Sequence, residues 1–174
     1  MNVLRSADGR RALCTLPILL LLLMFASGVA AQWKPADGPL MTPWGEHVAP
    51  DNVLPEYPRP QMQRDGDSWR NLNGLWDYAI VDRNDPMPTQ WDGQILVPFA
   101  PEAALSGVGR AVLPDQRLWY RRELDVPTNW QEGRVLLHFG AVDWESVVYV
   151  NGLEVGSHRG GFDPFTIDIT HALK

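Results

Sequence analysis

Seven glutamates, Glu46, Glu56, Glu102, Glu123, Glu132, Glu145 and Glu154, are the side chains of this chain best suited to acid–base or nucleophilic work. A pair of carboxyls about 5 Å apart can cleave a glycosidic bond, one as acid/base and one as nucleophile. Several of the seven fall at outward strand positions or in turns, where a carboxylate is ordinarily just solvated. The histidines His47, His138, His158 and His171 show no ligand spacing with acids. No Gly-x-Ser-x-Gly elbow is present, and Gly107-Val108-Gly109 does not open a helix after a strand, as a nucleotide loop does. Cys14 is the single cysteine and lies in the N-terminal apolar region, so the rest of the chain has no thiol nucleophile, disulfide framework or metal knuckle. The sequence does not read as a complete enzyme, and neither a cofactor nor a metal is expected.

The elements around these residues read as short antiparallel strands. Trp76, Tyr78 and Ile80 alternate with Asp77 from Gly74 to Val81, which puts the apolar residues on one face. The alternation returns in Tyr120, Arg122, Leu124 and Val126 against Trp119, Arg121, Glu123 and Asp125. It returns again in Val135, Leu137 and Phe139, and in Phe165, Ile167 and Ile169. One buried face and one wet face are the expected result. Asp85-Pro86, Asp92-Gly93, Glu132-Gly133 and Asn151-Gly152 supply turns at sandwich spacing. Asn151-Gly152 is the clearest, because a type I′ hairpin needs positive φ at both central residues. A short helical turn fits residues 101–105, and longer helices are not expected. Residues 69–174 therefore read as an all-β, antiparallel β-sandwich.

Ahead of it, residues 32–68 carry Pro35, Pro39, Pro43, Pro50, Pro55, Pro58 and Pro60, a density that favours an extended, irregular arm. Trp33, Trp44, Val53, Leu54 and Tyr57 give the arm an apolar content that disordered linkers seldom have, so docking on a folded surface is expected. Residues 1–31 read as a cleavable signal peptide: Arg5, Arg10 and Arg11, an apolar run over residues 16–25, then Val29-Ala30-Ala31. The run is shorter than the ~20 residues of a membrane span, so a periplasmic or secreted location without a stable span is expected. The net charge of -6 offers no basic stripe for nucleic acid. Eight tryptophans offer flat faces for sugar rings, although indole also fills cores.

The order of motifs resembles the N-terminal sugar-binding domain of family 2 glycoside hydrolases, a jelly-roll sandwich of the galactose-binding kind. The matching blocks are Tyr57-Pro58-Arg59-Pro60-Gln61, Trp69, Leu72-Asn73-Gly74-Leu75-Trp76, Val97-Pro98-Phe99, Trp119-Tyr120-Arg121-Arg122, Val150-Asn151-Gly152 and His158-Arg159-Gly160-Gly161-Phe162-Asp163-Pro164-Phe165. The family's catalytic glutamates stand on a barrel after this domain, one of them following an asparagine. No glutamate here follows an asparagine.

The resemblance implies a carbohydrate partner, a β-linked glycan or oligosaccharide, and a barrel of the parent chain as the second partner. It makes Asp143, Trp144, His158, Arg159 and Asp163 the candidate substrate-binding residues, with Asn151, Gly152, Gly160 and Gly161 shaping the turns. Bacterial β-galactosidases place an acid in the loop after the hairpin; Arg159-Gly160-Gly161 looks more like the β-glucuronidase-type branch. The family domain also continues past residue 173 into a turn and a closing strand, so a truncated sandwich with a self-associating edge is expected. A free-standing carbohydrate-binding module and an envelope interaction module with no sugar role are the other readings.

Overall fold

Among the described residues seven strands run in chain order: β1 Gly74–Asp82, β2 Gly93–Val97, β3 Gln116–Arg121, β4 Leu136–Phe139, β5 Glu145–Val150, β6 Leu153–Arg159 and β7 Phe165–Asp168. The computed structural model describes residues 33–38, 40–53, 68–130 and 132–174. The signal-like segment, the 57–61 block, Leu54 and Tyr57 lie outside the described residues. Every ladder among the described residues is antiparallel: β2-β1-β3, β4-β7 and β5-β6. Helical structure among the described residues is confined to single 3-10 turns, including Ala104–Ser106 where a turn over residues 101–105 was expected. The all-β antiparallel sandwich follows from the alternation, since period 2 puts one residue set on each face.

The expectation of one wet face fails at the centre of the first sheet. Ala79 and Ile80, neighbours that point to opposite faces, are 1% and 9% exposed, and Ile95 and Leu96 are both fully buried. The Ala104–Ser106 turn packs on β2. Towards the hairpin, Trp119 of β3 meets Tyr149 of β5 with ring centroids 5.9 Å apart. Strand β3 also ends at Arg121, earlier than the alternation suggests. Beyond it the Arg122 guanidinium donates to the carbonyls of Leu72 and Asn73 at 2.7 and 3.1 Å, ahead of β1.

The β5–β6 hairpin turns at Asn151-Gly152, with φ of 51° and 82°, both positive as a type I′ turn requires. Val150 and Leu153 flank the turn in register. Asn151 then ties the tip to the Thr170–Ala172 turn, donating from Nδ2 to the Ala172 carbonyl at 2.8 Å. Gly156 of β6 lets Ile167 of β7 close in: a Cβ at Gly156 would stand 3.0 Å from Ile167 Cδ1. At the start of β4, Val135 N–H donates to Thr170 Oγ1 at 2.9 Å, and Ile169 N–H returns to the Val135 carbonyl at 3.0 Å.

The arm is anchored where it is described. Trp33 Nε1 donates to the Ser106 carbonyl at 3.3 Å, Ala36 N–H to the Ala104 carbonyl at 2.8 Å, and Val53 is buried. Trp44 departs from the docking expectation: it is 81% exposed, in a stretch where Leu40 and Met41 are exposed too. It precedes the short Gly45–His47 turn, whose buried residue is Gly45 and not the indole.

Candidate functional site

The ladder of β5 and β6 fixes which residues meet at the open end of the hairpin. Glu145 pairs with Arg159 and Ser146 with His158, so the residues just before β5 meet those just after β6. Gly160 N–H donates to the Trp144 carbonyl at 2.7 Å and closes that end. The Asp143–Trp144 peptide is cis. Asp143-Trp144 and the Gly160-Gly161 loop, separate in sequence, thereby become one surface.

The diglycine is there because side chains crowd it. A Cβ at Gly161 would stand 2.6 Å from Asp143 Oδ1; one at Gly160 would stand 2.9 Å from Asp163 Oδ2 and 3.2 Å from His158 Nε2. Gly160 also has a φ of 143°, which L side chains rarely adopt. Asp143, His158 and Asp163 are thus gathered around two glycines. His158 stacks on Phe165 at 4.2 Å, and Phe165 on Phe139 at 4.6 Å. This column fixes the imidazole plane, and His158 Nε2 is enclosed without a hydrogen-bond partner among the described residues.

Trp144 and Arg159 face outward. The indole is 61% exposed, and the Arg159 guanidinium lies 5.8 Å from its ring centre, within cation–π range. Arg159 Nε and Nη2 both donate to Glu145 Oε1, at 3.0 and 2.7 Å. The hydrogen bond from Arg159 and then its charge, with help from Arg83 and Arg117, hold the Glu145 carboxyl below its ordinary range. All five candidates therefore lie at one end of the hairpin. Glu145 and the two arginines from other elements were missed by sequence reasoning. Glu145 sits one residue after Trp144 on a strand of plain period 2, which is a local signal. Arg83 and Arg117 arrive through tertiary pairing only.

The group offers carboxylate acceptors, a guanidinium donor and an exposed indole face. Such a set can hold hydroxyls and stack on the C–H face of a sugar ring. No group of three or more His, Cys, Asp or Glu residues among those described is placed to hold a metal ion. A separate hollow of about 240 Å³ lies by the hairpin tip, lined by Leu124, Asp125, Val126, Asn151, Leu173 and Lys174. Of the expected residues it takes only Asn151, whose amide is already bound to Ala172. No helix among the described residues is long and apolar enough to cross a membrane.

Residues 109–174 match the family profile described as glycosyl hydrolases family 2, sugar binding domain. The chain carries that family's sugar-binding domain. The β-glucuronidase of Paenibacillus borealis is 32% identical over 120 residues, covering 66% of this chain and 20% of the relative. The β-glucuronidase of Felis catus is 30% identical over 166 residues, covering 84% of this chain and 24% of the relative. The chain thus spans about a fifth to a quarter of the length of these relatives. Among solved structures, an uncultured Clostridium sp. β-glucuronidase aligns with a TM-score of 0.46 and 26% identity, over 60% of this chain and 20% of that one.

Proposed function

We propose that this chain is the non-catalytic, sugar-binding part of an exported enzyme of the β-glucuronidase kind, one that hydrolyses β-glycosidic bonds. Asp143, Trp144, Arg159 and Asp163 face the saccharide, His158 supports their loop from beneath through its stack on Phe165, and the catalytic carboxylates come from a barrel outside this sequence. The observation that carries the reading is the convergence of Asp143, His158 and Asp163 on Gly160-Gly161 beside an exposed indole. Likeness to β-glucuronidases supports the choice of enzyme class. The arginines and leucine run of residues 1–31 support export.

Calorimetry on the purified chain with β-linked oligosaccharides, run beside an assay with an aryl β-glucuronide, tests the proposal. Saccharide binding without turnover is the expected pair of results. Turnover by pure protein that disappears when one glutamate is replaced contradicts the non-catalytic assignment, and an absence of saccharide binding contradicts the sugar-binding one.

A further inference from the structure

We propose that His158 and Asp163 form a pH-sensitive clasp of the Gly160-Gly161 loop. With the imidazole neutral, the Asp163 carboxylate is free to face outward. When the ring takes up a proton, Nε2–H donates to Asp163 and holds the loop in one form. The clasp acts with or without a ligand, so it stands apart from the sugar-binding reading.

The strand sets the imidazole inside the hairpin. Neighbouring strand residues point to opposite faces, so Arg159 turns out towards Glu145 while His158, opposite Ser146 in the ladder, turns in. There its ring stacks on Phe165 at 4.2 Å and 15°, and Phe165 stacks on Phe139 at 4.6 Å and 12°. Held in this column, the ring does not swing out to find a partner. Nε2 is enclosed with no hydrogen-bond partner among the described residues, and so is Ser146 Oγ from the residue opposite. An enclosed polar atom without a partner is costly, which favours any state that supplies one.

Asp163 is placed to do so. An ideal Cβ on Gly160 would stand 3.2 Å from His158 Nε2 and 2.9 Å from Asp163 Oδ2, so both atoms border the space that the glycine leaves free. Asp163 is exposed, which gives its side chain room to turn. An imidazole nitrogen without a proton and a carboxylate are both acceptors only, and no bond joins them. One proton from solvent on Nε2 makes it a donor, and the bond to the carboxylate is then charge-assisted, the stronger kind. Histidine suits the task, since it changes charge between about pH 5 and 8.

The other charges around the ring leave this partnership open. Asp143 is the second carboxylate of the loop, its Oδ1 lying 2.6 Å from where a Cβ of Gly161 would stand. Arg159 is the nearby cation in the sequence, but its guanidinium is engaged by Glu145 Oε1 at 3.0 and 2.7 Å. Strands β4 and β7 bring the uncharged rings of Phe139 and Phe165, and His138 of β4 is bound through Nδ1 to Thr166 Oγ1 at 2.8 Å. Strand β5 brings Ser146. The acid form turns the Asp163 carboxylate away from the outer surface, so a ligand held by Asp163 is released on acidification.

The test is NMR on the full chain between about pH 5 and 8, following the His158 ring Cε1–H and the backbone amides with no ligand present. The amides of Gly160, Gly161 and Asp163 are expected to move with the midpoint of the His158 ring, while those of Asn151 and Gly152 at the far end of the hairpin stay in place. Asp163→Asn, at an exposed residue, should leave the ring titrating and shrink the loop response severalfold. Asp143→Asn should keep the response. Melting curves confirm that both variants are folded. Loop amides that follow a different midpoint, or a response undiminished in Asp163→Asn, overturn the clasp. A response lost in Asp143→Asn and kept in Asp163→Asn overturns the choice of Asp163. Saccharide binding by a chain whose loop shows no such response leaves the sugar-binding reading standing without the clasp.

Discussion

Arg159 reaches straight across the β5–β6 ladder and donates through Nε and Nη2 to one oxygen of Glu145, at 3.0 and 2.7 Å. These hydrogen bonds are the first reason that the Glu145 carboxyl titrates below its ordinary range; the charges of Arg159, Arg83 and Arg117 add to them. Because the folded value is the lower one, the pair's contribution to stability is present above the unfolded glutamate value. It is lost as pH falls through the folded value. In Arg159→Gln the side-chain carboxyl signal of Glu145 should titrate at higher pH. An unchanged midpoint would mean that the fork is not formed in solution.

Asp168 gives a second titration. It accepts from the Thr170 hydroxyl at 2.6 Å, from Thr170 N–H at 3.0 Å and from Arg134 Nε at 2.9 Å, and in that order these bring it from 3.8 to about 2. Its contribution is full above about 3.8 and is lost as pH falls towards about 2. Thr170→Val should raise the Asp168 value.

The same substitution also removes the acceptor of Val135 N–H. An unpaired buried amide costs on the order of 1–3 kcal/mol, so urea unfolding of Thr170→Val should show a loss of that size. A stability equal to that of the parent would place Val135 N–H in contact with water.

At the hairpin tip Gly152 has a φ of 82° and open space where a Cβ would stand. Any loss in Gly152→Val is therefore conformational and not steric, on the order of 1–2 kcal/mol. Gly152→Asn should lose less, because asparagine tolerates positive φ. Equal melting temperatures for the valine variant and the parent would contradict the turn geometry.

Gly161 behaves differently. A Cβ there meets Asp143 Oδ1 at 2.6 Å, and Asp143 is an exposed side chain that can swing away. Gly161→Ala should therefore keep most of its thermal stability while losing saccharide affinity, because the displaced carboxylate no longer faces the ligand. A large fall in melting temperature with affinity intact would make the diglycine structural only.

Local chemistry was the legible part of this chain. Asn151-Gly152 declares its turn because two positive φ angles suit few other pairs, and alternation in 165–169 declares a strand because pleating has period 2. What depends on other elements was not legible. Ala79 and Ile80 look like opposite faces, one wet, until the packing around β1 and β2 covers both. Trp44 looks like an anchor, yet Trp33 is the indole that finds a carbonyl partner at Ser106. At the site, His158, Arg159 and Asp163 were visible through the Gly-Gly loop. Glu145 read as a solvated carboxylate, since nothing local places Arg83, some sixty residues earlier, beside it.

The central claim, that saccharide is held at the open end of the β5–β6 hairpin, is tested most directly by amide chemical-shift mapping of the ¹⁵N-labelled chain during titration with a β-linked glucuronide oligosaccharide. The account predicts saturable shifts clustered at Asp143, Trp144 and His158 through Asp163, with Asn151 and Gly152 at the opposite end unmoved. No saturable shift, or a cluster confined to Leu124, Val126 and Leu173 around the hollow by the hairpin tip, would contradict it.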